Sequence, residues 1–553
     1  MIDTETVAPE RAVNPWPRRV RAAIAGIIAA LVALGVAELI AGLIGPNSSP
    51  VVVVGGAVID VTPRPVKDFA ITTFGESDKI ALVIGTLALI VVFALAIGLL
   101  SLRDRRIGVA GIALFGALGA LAAFTRPTGD ILDTLPSILG AVVGAGALLL
   151  MIAALTQPAV EAADSDRSVE ARRSNQSTGL LDNLRQNLAR RDRKSTSMDR
   201  RGFFIASGVA AGVAAITGSA GTLIQRRFDI SNARAALDIQ TPADAAAAVP
   251  AGADLAAEVP GLTPLFTDNA DFYRVDINIT VPQVSPTDWS LRIHGRVRNE
   301  LTFSLADLMS RDDIIERDIT ITCVSNTVGG DLAGSARWIG VPLRNLLGEA
   351  GVEDGADQVL TTAVDGFTIG TPTEDCLRTE NAMLAFAMNG EPLPAEHGFP
   401  VRMLVPGLYG YVSATKWIVD MELTTFDAVD PYWVQREWDV TAPIKISARI
   451  DTPASVGVKA GDLVIAGVAW AQTRGIDRVE VRIDRGDWQE AELAAETNVQ
   501  MWRQWRLPWR AETGQHTLTV RATDQFGELQ TEERAEPFPN GAAGWHTLQV
   551  FIQ

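Results

Sequence analysis

The run Met388-Asn389-Gly390-Glu391-Pro392-Leu393-Pro394-Ala395-Glu396-His397-Gly398-Phe399-Pro400-Val401-Arg402 sits in a part of the chain unlike its beginning. Around it, from about Thr263 to Phe426, apolar runs are short and broken by turn residues. Val275–Val281, Ser290–Val297, Asp318–Cys323 and Val359–Ala363 read as strands, and Leu305–Met309, Leu343–Ala350 and Ala382–Met388 as short helices. This predicts an α+β domain over residues 263–430. Downstream, strand-like runs recur every eight to twelve residues, at Lys445–Thr452, Leu463–Trp470, Arg478–Ile483, Met501–Trp509, His516–Thr523 and His546–Phe551. Gly-Asp and Arg-Gly-Asp turns punctuate them. Residues 440–553 therefore read as an immunoglobulin-like β-sandwich without the antibody-type disulfide. Trp502, Trp505 and Trp509 are expected in its core, with packing against the catalytic domain or a second subunit as the alternative.

Upstream the chain changes character. Ala22–Ile44, Ile80–Leu100, Ile107–Phe124 and Leu135–Leu155 are each close to the roughly 20 apolar residues needed to cross a bilayer. Residues 1–156 are thus expected to be a four-helix transmembrane region. Arg18, Arg19 and Arg21 precede the first span, and Arg103, Arg105 and Arg106 lie between the second and third. The stretch 157–202 holds ten Lys and Arg. The positive-inside rule places all three groups in the cytoplasm, with the N-terminus. Glu38 lies toward the outer end of the first span. The polar stretch 157–202 reads as a cytoplasmic linker. Its end, Asp199-Arg200-Arg201-Gly202-Phe203-Phe204-Ile205, resembles an internal twin-arginine signal, which makes 203–225 a fifth transmembrane helix and anchor. Residues 226–262, Pro/Ala-rich between Ile239 and Pro260, read as a tether to an extracytoplasmic catalytic domain.

Composition narrows the chemistry. The formal net charge of −17 over 553 residues disfavours nucleic-acid partners. The chain has two cysteines, Cys323 and Cys376, too few for a disulfide scaffold or a multi-cysteine metal site. Its four histidines all lie beyond residue 290, so none is available to hold haem among the N-terminal helices. No CxxCH is present.

Several motifs, in order, resemble the sulfite oxidase family of molybdopterin-dependent oxidoreductases, in a bacterial membrane-anchored form. They are Asp271-Phe272-Tyr273-Arg274, Trp289-Ser290-Leu291-Arg292-Ile293-His294-Gly295, Ile321-Thr322-Cys323-Val324-Ser325-Asn326, Trp338-Ile339-Gly340-Val341-Pro342-Leu343, the run quoted first, Pro406-Gly407-Leu408-Tyr409-Gly410, and Lys416-Trp417. The resemblance runs from about Leu262 to the C-terminus. It implies a molybdenum–molybdopterin cofactor whose metal is held by the Cys323 thiolate, a soft donor suited to such a centre. It places cofactor contacts at Tyr273, Arg274, Asp365, His397, Arg402, and Ser413, Ala414, Thr415 and Lys416, where the chain runs one residue longer than the family pattern. Arg402 is the residue type that grips phosphate in a bidentate way. Cys376 matches no motif and reads as structural. Tyr409 and Tyr411 are candidates to orient an oxo group or donate protons. The C-terminal domain resembles the family's dimerisation domain, implying a possible homodimer.

One departure stands out. Animal and plant members follow the cysteine with arginines, whereas Cys323 is followed by Val324-Ser325-Asn326-Thr327-Val328. A small oxo-anion such as sulfite loses those cations, and Arg274, Arg337 or Arg436 are the candidates to replace them. The expectation is therefore oxygen-atom transfer of the sulfite oxidase type, with reduction of sulfoxides or other oxo-compounds at the same site as an alternative. The chain has no haem domain, so a quinone or a cytochrome is the implied electron partner. A non-catalytic surface receptor or adhesion module is the competing reading from another class.

Overall fold

The computed structural model describes residues 16–45, 48–63, 66, 78–126, 129–156, 200–225 and 229–553. The chain forms two compact units, Met1–Arg227 and Phe228–Gln553.

The first unit consists of helices: α1 Trp16–Ile44, α2 Pro50–Val61, α3 Asp78–Leu100, α4 Arg105–Phe124, α5 Leu135–Thr156 and α6 Arg200–Gln225. Four stretches are long and apolar enough to cross a membrane: Arg18–Ile44, Ala81–Leu100, Arg105–Phe124 and Ile131–Ala153. The apolar part of α6, Ser207–Gly221, is shorter, as is α2. Helix α1 packs against α3, α5 and α6. Its small residues permit this: a Cβ on Gly26 would collide with the Ala94 carbonyl of α3, and one on Gly35 with that of Ala214 on α6. Small residues at the seam let helix backbones approach where lipid removes the hydrophobic drive between them. Glu38 accepts a hydrogen bond from Ser49 Oγ at 2.5 Å. Of the expected linker 157–202, residues 157–199 lie outside the described residues, Asp199 of the arginine motif among them, and Arg200, Arg201 and Gly202 begin α6.

The second unit begins with a correction. Residues 239–260 are no tether. Ala253, Leu255 and Val259 are buried, and the Leu255 amide donates to Gln504 Oε1 at 2.6 Å. Arg234 reaches the Pro392 carbonyl at 2.8 Å. Pro and Ala make a segment look like a spacer, but its sparse large apolar residues dock. Truncating Leu255 to Ala is expected to cost about 2–5 kcal/mol, measurable as a shift in the urea midpoint of the full chain. A shift near zero contradicts the docking.

Two sheets build the central domain. One has the order β2 (Leu301–Ser304), β1 (Ser290–Gly295), β10 (Ile418–Thr424), β5 (Gln358–Ala363) and β6 (Thr368–Pro372), with β1 and β10 parallel. The other runs β3 (Ile315–Thr322), β4 (Ala333–Pro342), β7 (Met383–Met388) and β8 (Glu391–Pro392), with β9 (Arg402–Leu404) also on β7. Here the expected helix at 382–388 is corrected to a strand. Every residue of β7 is buried, and a strand covered on both faces shows the same continuous apolar run as a buried helix segment. The expected strand at 275–281 is also corrected: the segment is irregular. The helices Leu305–Met309 and Leu343–Ala350 form as read. The first is closed by a capping box between Ser304 and Asp307.

Beyond Ile446 lie two four-stranded sheets, β11 (Ser447–Thr452)–β12 (Gly461–Trp470)–β16 (Arg503–Ala511)–β15 (Glu492–Leu493) and β14 (Trp488–Glu490)–β13 (Ile476–Ile483)–β17 (Gly514–Asp524)–β18 (His546–Ile552). They share one apolar core that includes Ile465, Val481, Trp505, Trp509 and Val520. Trp502 instead joins this layer to the central domain: its indole N–H donates to the Leu265 carbonyl at 2.9 Å and its amide to Thr320 Oγ1 at 2.8 Å.

Candidate active site

Strand β3 ends at Thr322, and Cys323 follows in the first turn of the loop to β4. Its amide donates to the Leu332 carbonyl at 2.9 Å, and its Sγ accepts from the Ser325 amide at 3.4 Å. Asn326 Oδ1 accepts from the Leu332 amide at 3.0 Å, closing the loop. Burial pushes the thiol above its ordinary value, and the Ser325 amide and the Lys416 ammonium pull the other way. These are the conditions that a bound metal cation reverses. Cys376 is fully buried in the apolar core.

Cys323 lines a cleft of about 140 Å³, partly open to solvent, with Tyr273, Asp365, His397, Arg402, Tyr411, Ala414 and Lys416. These expected site residues converge from five separate stretches of chain. Arg402, at the start of β9, is 4% exposed. Its Nη1 donates to the His397 carbonyl at 3.1 Å, and its guanidinium stacks over Trp338 at 5.1 Å. Its Nε is sealed and has no partner, and among the described residues it forms no ion pair. Burial pulls its pKa down to about 10. A buried, uncompensated cation is costly, so this site is built for an anion that the protein itself does not supply.

Lys416 makes a second cationic point. Its ammonium donates to Asp276 Oδ2 at 2.8 Å and to the Glu396 carbonyl at 3.1 Å. Burial lowers its pKa to about 8, against the pull of Asp276. Gly398, at φ +111°, lets the two chain segments cross, because a Cβ there would lie 3.1 Å from both Arg402 Cβ and Lys416 Cα.

His397 is 3% exposed. Its Nε2 lies 3.1 Å from the Asn269 carbonyl oxygen, so Nε2 carries the proton and donates. Burial and the neighbouring Arg402 lower its pKa to about 4. The imidazole is therefore neutral near pH 7, with Nδ1 as an acceptor. Asp365 accepts from the side chain of Asn278 and, at 3.0 Å, from the Phe367 amide.

The segment 413–416 alternates. Ala414 and Lys416 line the cleft. Ser413 Oγ turns inward to the carbonyls of Leu408 and Tyr409, both at 3.0 Å, and Thr415 Oγ1 pairs with Thr361 Oγ1 at 2.5 Å. The backbone pairs with β9 through Met403 N to Thr415 O at 2.9 Å and Val405 N to Ser413 O at 3.1 Å. Ser413 and Thr415, both buried and bonded inward, hold the wall rather than form its surface. Tyr409 is likewise outside the cleft: it is buried against Gly541 and lines a smaller cavity behind the cysteine loop. Tyr411 lines the cleft and donates to the Asp439 carbonyl at 2.7 Å. Arg274 lies off the cleft and forms a bidentate pair with Asp276, at 2.7 and 3.2 Å. Arg337, expected as a substitute cation, is bidentate to buried Asp318, at 2.7 and 2.9 Å.

Sequence reading missed Asp276, Asn278, Phe367, Trp433 and Trp438. The alternation Val275-Asp276-Ile277-Asn278-Ile279 looks like a strand with polar groups facing water. Asp276 and Asn278 are instead buried against Lys416 and Asp365.

The buried Lys416 ammonium gives a pH signature. Its pKa is about 8 in the folded, cofactor-free protein and 10.5 for an ordinary lysine. Between those values the unfolded chain binds the extra proton, so stability rises with pH. Lys416→Met is expected to flatten that rise in melting temperatures recorded from pH 8 to pH 10. An unchanged slope in the variant refutes the assignment.

Comparison with known proteins places this cleft. Residues 278–433 match the oxidoreductase molybdopterin binding domain family. The chain is 28% identical over 342 residues to mitochondrial sulfite oxidase of Macaca fascicularis, covering 52% of this chain and 62% of that one. It is 35% identical over 138 residues to the uncharacterized oxidoreductase YuiH of Bacillus subtilis, covering 25% of this chain and 66% of that one. The sulfane dehydrogenase SoxCD from Paracoccus pantotrophus aligns with a TM-score of 0.46 and 23% identity, over 52% of this chain and 82% of that one. The chain thus spans less than two thirds of the length of the sulfite oxidases that it matches.

Proposed function

This chain belongs to the sulfite oxidase family of molybdopterin oxidoreductases, and from that premise we propose that it is a membrane-anchored, extracytoplasmic oxygen-atom-transfer enzyme. The observation that carries the site assignment is Arg402, a buried guanidinium with an unpartnered Nε and, among the described residues, no carboxylate partner, on the same cleft as the Cys323 thiol.

The molybdenum–pterin group supplies two-electron oxygen-atom transfer when bound. Cys323, as thiolate, is its metal ligand. Arg402 and Lys416 neutralise its phosphate, satisfying the guanidinium that the protein leaves unpaired. Neutral His397 offers Nδ1 as an acceptor, which suits a pterin N–H better than a phosphate. Asp365, set by Asn278 and the Phe367 amide, is a further acceptor on the cleft wall. Tyr273 closes the cleft near Cys323, which raises the tyrosine's pKa further after burial. Ser413 and Thr415 position Ala414 and Lys416, and Arg274 orients Asp276 on Lys416. Tyr411, on the cleft wall, is the candidate proton donor to the reacting oxygen, and its hydroxyl must turn from the Asp439 carbonyl to act. Tyr409 supports the cysteine loop from behind.

Long apolar helices and the distribution of arginines support the location: N-terminus in the cytoplasm, four crossings, and a fifth helix after Arg200-Arg201 that carries the catalytic unit outward. The paired four-stranded sheets fit an immunoglobulin-like module, with homodimerisation as its expected role. A quinone or a cytochrome is the electron partner. Sulfite oxidation is the first activity to test. Sulfoxide reduction is a second reading, favoured by the ion-paired state of Arg337. The test is purification from a molybdenum-replete host, elemental and pterin analysis, and assays of both activities. One molybdenum and one pterin per chain with either activity is expected. A protein free of both after such expression is a receptor or adhesion module instead.

A further inference from the structure

Besides its two cations, the cleft is lined by aromatic rings. Phe367, Tyr411, Trp433 and Trp438 all line it. They form one connected group: Tyr411 to Trp438 is 5.7 Å between centroids, Trp438 to Trp433 6.0 Å, and Trp433 reaches Phe367 through Tyr432 at 5.0 and 5.2 Å. Among the described residues, the side-chain cations lining the cleft are Arg402 and Lys416, and both are accounted for by the cofactor. Arg274 and Arg337 are each held bidentate by a carboxylate, and Arg436, the third candidate, is not among the lining residues: its guanidinium lies over the Tyr432 ring at 3.6 Å and donates to the Tyr432 carbonyl at 2.8 Å. Behind Cys323 the wall is Val324 and Ser325 rather than a cation. A small dianion entering here exchanges its hydration for ring faces, which is unfavourable without a paired charge. An uncharged molecule with an apolar ring gains contact area and edge-to-face or offset-stacked geometry.

We propose that the substrate is an uncharged oxo-compound bearing an aromatic or bulky apolar substituent, with Trp433, Trp438 and Phe367 as the specificity-determining residues. This rests on the oxygen-transfer reading above and narrows it from oxo-anions to neutral compounds. With methyl phenyl sulfoxide as probe, the S–O bond breaks and the oxygen leaves as water with two protons from solvent. Two electrons come from two equivalents of a reduced viologen dye, and the product is the sulfide.

The experiment uses the full chain loaded with its cofactor. Values of kcat/KM are measured for methyl phenyl sulfoxide and dimethyl sulfoxide with reduced viologen, and for sulfite with ferricyanide. The aryl compound is expected to exceed dimethyl sulfoxide by about tenfold or more, and sulfite to be the poorest. Trp433→Ala and Phe367→Ala are each expected to lower the aryl-to-dimethyl ratio about tenfold, with Trp433→Phe restoring most of it. Tryptophan fluorescence reads binding apart from turnover: saturable quenching by the aryl compound that sulfite does not reverse is expected. Sulfite as the best substrate, sulfite reversal of the quenching, or a ratio unmoved in both alanine variants overturns this inference and leaves the family's oxygen transfer standing. Turnover of none of the three by a molybdenum-replete protein overturns both.

Discussion

Replacing Cys323 with serine is expected to lower turnover on the order of 10³-fold or more while the pterin stays bound. The argument is one of donor chemistry. Thiolate is a soft, polarisable ligand, and an alkoxide or alcohol in its place changes the electronics of a transition-metal centre. The phosphate-binding end, at Arg402 and Lys416, is untouched, so cofactor content holds. Loss of a residue that acts as one unit with the reactive centre is commonly of this size. The check is activity per bound pterin in Cys323→Ser, with Cys376→Ser as comparison. Cys376 is fully buried among apolar side chains, and burial raises its thiol pKa, so its substitution is expected to lower the melting temperature with activity per pterin kept. Equal activity in Cys323→Ser and wild type removes the assignment.

Arg402→Met is expected to act in opposite directions on the two forms of the protein. Without cofactor, wild type carries a buried cation with no carboxylate partner and a sealed, unbonded Nε. Replacing such a charge by an apolar side chain of similar volume removes its desolvation cost and is expected to be stabilising. The cofactor-free variant therefore melts higher. With cofactor, the same change strips a charge-assisted contact to phosphate, and removing one partner of a buried charged pair costs about 2–5 kcal/mol, so retention falls on the order of 10²-fold. The measurements are melting temperature of the cofactor-free protein and pterin content after dialysis. A variant that melts lower and keeps its pterin marks Arg402 as a structural residue.

The locations of the corrections are informative. Residues 382–388 defeat periodicity because both faces of β7 are covered, leaving no polar beat to count. Residues 275–281 have the beat but not the ladder, since Asp276 and Asn278 spend their polar groups on Lys416 and Asp365. The 239–260 segment looks too poor in large side chains to fold, yet Leu255 and Val259 suffice to dock it.

From residue types and spacing alone came the apolar spans and the alternating strands after Ile444; the resemblance of several ordered motifs to a known family supplied the cysteine, histidine and arginine that converge on one cleft. Those features are local: a helix long enough for a bilayer, a period of two, or a motif with fixed internal spacing is complete within a short stretch. Which cations are available was decided elsewhere. Arg274 and Arg337 are identical to Arg402 as letters, but carboxylates up to 19 positions away claim them, and Arg402 is left unpaired. The aromatic wall has the same origin, since Phe367 and Trp433 meet through Tyr432 only when distant segments pack. Charge pairing and desolvation depend on who the neighbours are, and the neighbours exist only in the folded chain.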